Sequence, residues 1–214
     1  MRKLNIKSLM IIVIVLVVLG AIAIFFFKPH SRLPKQVQID TKDQPTMGNP
    51  KAKIHIVAFE DLKCHNCMRY NVEIFPKIKK KYIDTGKAKY TVMNVAFIPG
   101  SMPAANAARC LYQQNKKFFF PYVKYIYNHQ PSESANWATI PNLVSYASHI
   151  PGVNKQKLSE CIYRSPYTQR INKNLKIGMG IMKGVVSTPS VYINGYAVKP
   201  LTMRRFDEVM ADVN

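Results

Sequence analysis

The chain has 214 residues and a mass of 24.4 kDa; 48% of its residues are hydrophobic and 20% charged, with 4 Cys, 14 Pro and a formal net charge of +20. The apolar content is ample for a core and four cysteines cannot staple a chain of this length, so collagen-like, low-complexity and disulfide-dense miniprotein classes are excluded. With an apolar N-terminal segment set aside, about 180 residues remain, enough for one globular domain and too few for two equal ones.

Arg2, Lys3 and Lys7 precede an uncharged run from Leu9 to Phe27, closed by Lys28, Pro29, His30 and Arg32. A run of this length predicts a bilayer-spanning helix, so residues 1–28 are expected to form an N-terminal membrane anchor or an uncleaved signal, with the basic tail cytoplasmic. Ala21-Ile22-Ala23 resembles a signal-peptidase site and keeps a cleaved signal peptide open as the alternative. Either reading sends the rest of the chain to the periplasm or outside the cell, where thiols pair unless something keeps them apart. Residues 29–50, polar and punctuated by Pro29, Pro34, Pro45 and Pro50, read as a linker to a domain spanning 51–214.

Within that domain Ile54 to Phe59 is a β-branched and aromatic run, a buried strand. Cys64 to Tyr82 places Cys67, Val72, Phe75, Ile78 and Tyr82 near one helical face, with a kink expected at Pro76. Lys89 to Phe97 is a second strand. Five helices follow, over Ala104–Gln114, Phe118–His129, Ile140–Ser148, Asn154–Tyr163 and Tyr167–Met182, a helical insert at about 101–183. Ser190 to Val198 reads as two strands joined at Asn194-Gly195, and Leu201 to Val213 as a closing helix. The fold class is α/β.

Cys64-His65-Asn66-Cys67 follows a strand and opens a helix, the context in which C-x-x-C reads as a redox dithiol. At a helix N-terminus the free N–H groups and the positive dipole end stabilise a Cys64 thiolate, the only form that attacks a disulfide. Cys67, one turn on, can resolve the mixed disulfide, and His65 beside the sulfur can add positive charge or a hydrogen bond. Half of a structural zinc site competes with this reading, although Cys110 and Cys161 are isolated residues without a second C-x-x-C. A purely structural disulfide also competes, although an i,i+3 bridge constrains little chain. Haem attachment is excluded because Met68, not His, follows Cys67. No metal and no cofactor are expected. Lys77-Ile78-Lys79-Lys80-Lys81 and Lys116-Lys117 read as a solvated basic face rather than a nucleic-acid site.

Phe59-Glu60-Asp61-Leu62-Lys63-Cys64-His65-Asn66-Cys67 after a strand, then an insert, then Val185-Val186-Ser187-Thr188-Pro189-Ser190-Val191-Tyr192-Ile193-Asn194-Gly195, resembles the DsbA family of thiol:disulfide oxidoreductases over residues 50–214. The resemblance implies a thioredoxin-like fold with the helical insertion between the second strand and a cis-proline hairpin, here preceded by the transmembrane helix. It implies that Thr188-Pro189 is a cis-proline loop facing Cys64 that pairs with an extended client peptide, and that Cys110 and Cys161 form a structural disulfide. It also implies cysteine-containing client proteins and a membrane redox partner. Two departures stand out. Family members often carry a buried acid six residues before the first Cys, where this chain has Ala58; Glu60 and Asp61 lie closer, either as solvated strand-end residues or as a proton relay. His65-Asn66 also replaces the commoner Pro-His, which leaves the direction of electron flow open. The expected activity is that of a membrane-anchored, monomeric dithiol oxidase; a reductase or isomerase, and a non-enzymatic metal-binding or chaperone module, are the alternatives.

Overall fold

A computed structural model describes residues 10–18 and 33–213, in two compact units, 1–32 and 33–214. In the first unit residues 10–18 are helical. Nine residues rise about 14 Å, under half of a bilayer's hydrocarbon core. The expected transmembrane helix is therefore corrected: among the described residues no helix is long and apolar enough to cross a membrane. The remainder of that expected span, residue 9 and residues 19–27, lies outside the described residues.

The second unit is built on a five-stranded sheet of order β1-β3-β2-β4-β5, formed by β1 (Thr46–Gly48), β2 (Ile54–Asp61), β3 (Ala88–Val95), β4 (Ser190–Ile193) and β5 (Tyr196–Ala197). The two long strands β2 and β3 run parallel, and the other pairings are antiparallel. Strand periodicity divides the core in two, as expected where central parallel strands are covered on both faces. Ile54, Ile56 and Ala58 point into the larger cluster, while Val57 and Phe59 point into a smaller one with Met93, Val95 and Tyr192.

After β2 the chain enters α1 (His65–Arg69), a π-helical turn at Tyr70–Ile74, α2 (Phe75–Ile78) and a second π-helical turn at Lys79–Ile83. The expected kink at Pro76 takes this form: a proline has no N–H to donate and its ring crowds the preceding turn, so the helix widens just before it. The insert comprises α3 (Met102–Gln114), a 3₁₀ turn (Lys116–Phe118), α4 (Phe119–His129), α5 (Ile140–Ala147), α6 (Lys155–Arg164) and α7 (Thr168–Ile181), and α8 (Met203–Asp212) closes the chain. In α4 the buried residues Phe119, Tyr122, Val123, Ile126 and Tyr127 recur at alternating steps of three and one, a single helical stripe turned to the larger cluster. Helix α7 covers the opposite face, where the Phe59 ring lies 3.4 Å from the point a Gly178 Cβ would occupy, and Leu175 and Ile181 join the smaller cluster.

The segment from Leu33 to Pro50, within the expected linker over 29–50, lies in the second unit. It supplies β1, places Val37 and Ile39 on the smaller cluster, and ties Gln44 to Asn174 through a 2.7 Å hydrogen bond. Its contact with the hairpin is close: Val37 N donates to Gly195 O at 3.0 Å, and a Cβ on Gly195 would meet Val37 O at 2.1 Å. Asn194 and Gly195 both have positive φ, 47° and 85°, the conformation of the two-residue turn that this dipeptide favours.

Candidate active site

The end of β2 and the start of α1 converge on one point because Asp61 ties the intervening turn. Its main-chain oxygen accepts from Cys64 N at 3.0 Å, and its Oδ1 accepts from Lys63 N at 2.9 Å. Its Oδ2 accepts from Phe97 N at 3.0 Å, Ile98 N at 3.1 Å and Ser101 Oγ at 2.9 Å. Asp61 is fully buried, and burial raises its pKa against the pull of those donors. The solvated-strand-end reading does not hold for it: Asp61 pins the loop after β3 to the turn that presents the cysteines.

Cys64 caps α1 with extended backbone angles and no side-chain capping bond. Its sulfur therefore sits over the first turn, where the N–H groups of Asn66 and Cys67 favour the thiolate. The pKa of Cys64 falls to about 6, most of all through the Cys67 thiol, then through Thr188 and those N–H groups, against a cost from burial. Cys67 is completely buried, and burial pushes its pKa well up, with Cys64 and the Glu60 carboxyl adding to the rise. Both are free thiols. The Thr188-Pro189 peptide is cis, and Cys64 Sγ donates to Thr188 O at 3.4 Å. The Thr188 hydroxyl is buried with no nitrogen or oxygen partner, which leaves it available to a sulfur anion.

Glu60 lies behind the pair. It is 1% exposed and forms no salt bridge among the described residues; Tyr90 OH donates to Oε1 at 2.6 Å, and Asn71 Nδ2 and Tyr127 OH donate to Oε2 at 2.7 and 3.0 Å. Burial raises its pKa more than these donors lower it. Asn71 Nδ2 also reaches Cys67 O at 3.0 Å, linking the carboxyl to the second cysteine. Asn71, Tyr90 and Tyr127 line a cavity of about 610 Å³ that opens beside Val72 and Lys124. Strand parity explains the displaced acid: residues 58 and 60 share a face, so Glu60 occupies the same side of β2 one pleat nearer the cysteines. That parity was available in the sequence.

His65 stands at the mouth of the site. Its ring is exposed, and its backbone N–H donates to Glu133 Oε2 at 2.8 Å. Glu133 belongs to the loop after α4, which is held to the active-site turn by Gln130 Nε2 donating to Lys63 O. No local pattern in the sequence points to Glu133, since it lies 68 positions from His65. Cys110 and Cys161 are bonded to each other between α3 and α6. Among the described residues no group of three or more His, Cys, Asp or Glu side chains is placed to hold a metal ion.

A family model described as thioredoxin matches residues 40–212. Disulfide bond formation protein D of Bacillus subtilis is 28% identical over 173 residues, 80% of this chain and 76% of that protein. Among solved structures, Chlamydia trachomatis DsbA is 33% identical with a TM-score of 0.76, covering 84% of this chain and 97% of that one. The oxidised form of BdbD from Bacillus subtilis is 26% identical with a TM-score of 0.77, covering 83% and 96%. A thioredoxin fold, a family match across most of the chain and relatives that are disulfide-forming proteins agree: the chain belongs to the thioredoxin family and is a DsbA-like thiol:disulfide oxidoreductase.

Proposed function

We propose that the protein oxidises dithiols of client proteins outside the cytoplasm through the Cys64-His65-Asn66-Cys67 motif. The observation that carries this reading is the asymmetry of the two sulfurs: one sits over a helix N-terminus with its pKa lowered to about 6, the other is sealed in the core with its pKa raised. Stabilising the Cys64 thiolate stabilises the reduced enzyme, which makes the disulfide the stronger oxidant.

In the oxidised enzyme a client thiolate attacks Cys64 Sγ, the Cys64–Cys67 bond breaks, and Cys67 leaves with the electron pair and takes up a proton. The buried Glu60 carboxyl, whose charge helps raise the Cys67 pKa, is the group assigned here to supply that proton. The client's second thiolate then attacks its own sulfur in the mixed disulfide, and Cys64 departs as the stabilised thiolate. Two electrons have moved from client to enzyme, and a redox partner accepts them when the dithiol is reoxidised. Thr188 and Pro189 present backbone to an extended client segment beside Cys64, and the exposed His65 ring meets the client at the lip. The Cys110–Cys161 bond supports an oxidising compartment, because such bonds do not persist in a reducing cytosol. The name of the Bacillus subtilis relative, a disulfide bond formation protein, agrees with the oxidising direction.

The deciding experiment is the equilibrium of the Cys64–Cys67 pair with glutathione buffers in the full-length protein. A potential near about −120 mV supports the oxidase, a value near about −270 mV reverses the direction to a reductase, and no exchange at all removes the enzymatic role of this pair.

A further inference from the structure

The first turn of α1 has three N–H groups near the Cys64 sulfur, and they are shared unequally. Those of Asn66 and Cys67 face the sulfur, whereas that of His65 is taken by Glu133 Oε2 at 2.8 Å. Glu133 is one of only 11 acidic residues in a chain of net charge +20. It arrives from the insert, on a loop anchored by Gln130 to Lys63 O, and it borders a cleft with Lys63, Ile98 and Pro99. The Lys63 ammonium is turned to Pro99 O at 3.0 Å, not to this carboxylate.

We propose that Glu133 is a positioning residue that weakens the enzyme as an oxidant: its carboxylate engages the N-terminus of α1 in competition with the Cys64 thiolate. Two effects act in the same direction. A negative group one residue from the nucleophile repels a second negative charge. It also consumes an N–H and part of the positive helix end that would otherwise serve the sulfur. The charged or titratable groups on the elements beside Cys64 include Cys67 and His65 on its own element, Asp61 and Lys63 in the turn, Glu60 behind the strand and Lys183 in the segment that leads to Thr188. Because Glu133 comes from the insert, the insert sets the redox strength of a dithiol carried by the thioredoxin unit.

The proposal rests on Cys64 being the reactive sulfur, and the test separates the two. In the reduced full-length protein, the pH dependence of iodoacetamide alkylation at Cys64 is followed by mass spectrometry for the wild type, Glu133→Gln and Glu133→Ala. Glutamine keeps the acceptor for His65 N–H and removes only the charge. Both variants are expected to alkylate at lower pH, and their equilibrium with glutathione is expected to shift about three- to tenfold toward reduced enzyme. The difference between wild type and Glu133→Gln is expected to shrink in 1 M salt, because an exposed charge is screened. A structural role alone would lower thermal stability and leave the alkylation profile in place; that result, or a shift to higher pH, overturns the proposal. If wild-type Cys64 shows no thiolate titration at all, it is the nucleophile assignment that fails.

Discussion

Cys64 and Cys67 stand one helical turn apart where β2 gives way to α1 and are free thiols, whereas Cys110 and Cys161, 51 residues apart, are bonded between α3 and α6. The first pair closes almost no chain, so bonding it does little for the fold, and its two sulfurs lie in opposite environments. The second pair closes a long loop within the insert. Reactivity in this molecule follows from unequal surroundings at short separation, and stability from loop closure at long separation.

The largest effect expected from breaking this division is at Cys64. Replacing Cys64 with Ser should reduce thiol–disulfide exchange with a dithiol peptide by at least about 1,000-fold, because the attacked sulfur itself is gone, while thermal unfolding of the reduced protein at pH 6 and below changes little. Cys67→Ser should instead trap a mixed disulfide with the client, visible on a non-reducing gel. Equal behaviour of the two variants would erase the asymmetry.

Removing the other pair, as Cys110→Ser with Cys161→Ser, should cost about 4 kcal/mol of stability in the chain-entropy account of a loop of this length. Urea denaturation measures that loss. The glutathione equilibrium of Cys64–Cys67 should stay within about twofold of wild type. A large shift in that equilibrium would show that the two pairs are coupled through the insert, contrary to the division drawn above.

Much of this was legible in the chain itself. The strand, the C-x-x-C, the helical insert and the Asn194-Gly195 hairpin each carry a local signal, namely apolar periodicity, spacing or turn chemistry, and each expected element lies within a few residues of its place in the fold. Asp61 and Glu60 were visible as acids, but their burial depends on partners from β3, the loop after it and α4, which no local window contains. The same holds for Glu133. The segment from Leu33 to Gly48 reads as a linker because it is polar and rich in proline, yet it carries an edge strand whose pairing depends on β3.

Glu60 offers an intermediate effect that sharpens the front pair. Glu60→Ala leaves Tyr90, Tyr127 and Asn71 without their acceptor and should cost about 2 kcal/mol. Glu60→Gln, which retains an acceptor and lacks a titrating proton, should keep most of that stability and still slow the step in which Cys67 takes up its proton. Stopped-flow exchange with a dithiol peptide, followed across pH, separates the two. Equal rates for wild type and Glu60→Gln at every pH would remove Glu60 from the proton path.

The last test distinguishes the pairs by their response to protons. Cys64 titrates at about 6 in the folded reduced protein and near the ordinary value of 9.0 once unfolded. Between these values the unfolded chain binds more protons, so the stability of the reduced protein rises as pH increases through that window, and the contribution is lost as pH falls through 6. Cys67, whose folded pKa lies above 9.0, acts in the opposite sense only at higher pH, so the advantage is greatest close to pH 9. The urea midpoint of the reduced wild type minus that of Cys64→Ser should therefore grow from pH 6 to pH 9. The bonded cysteines have no proton to exchange, so the loss caused by removing them should be the same at both ends of that range. A pH-independent difference for Cys64→Ser would mean that its surroundings do not favour the thiolate, and the asymmetry that separates the two pairs would have no chemical content.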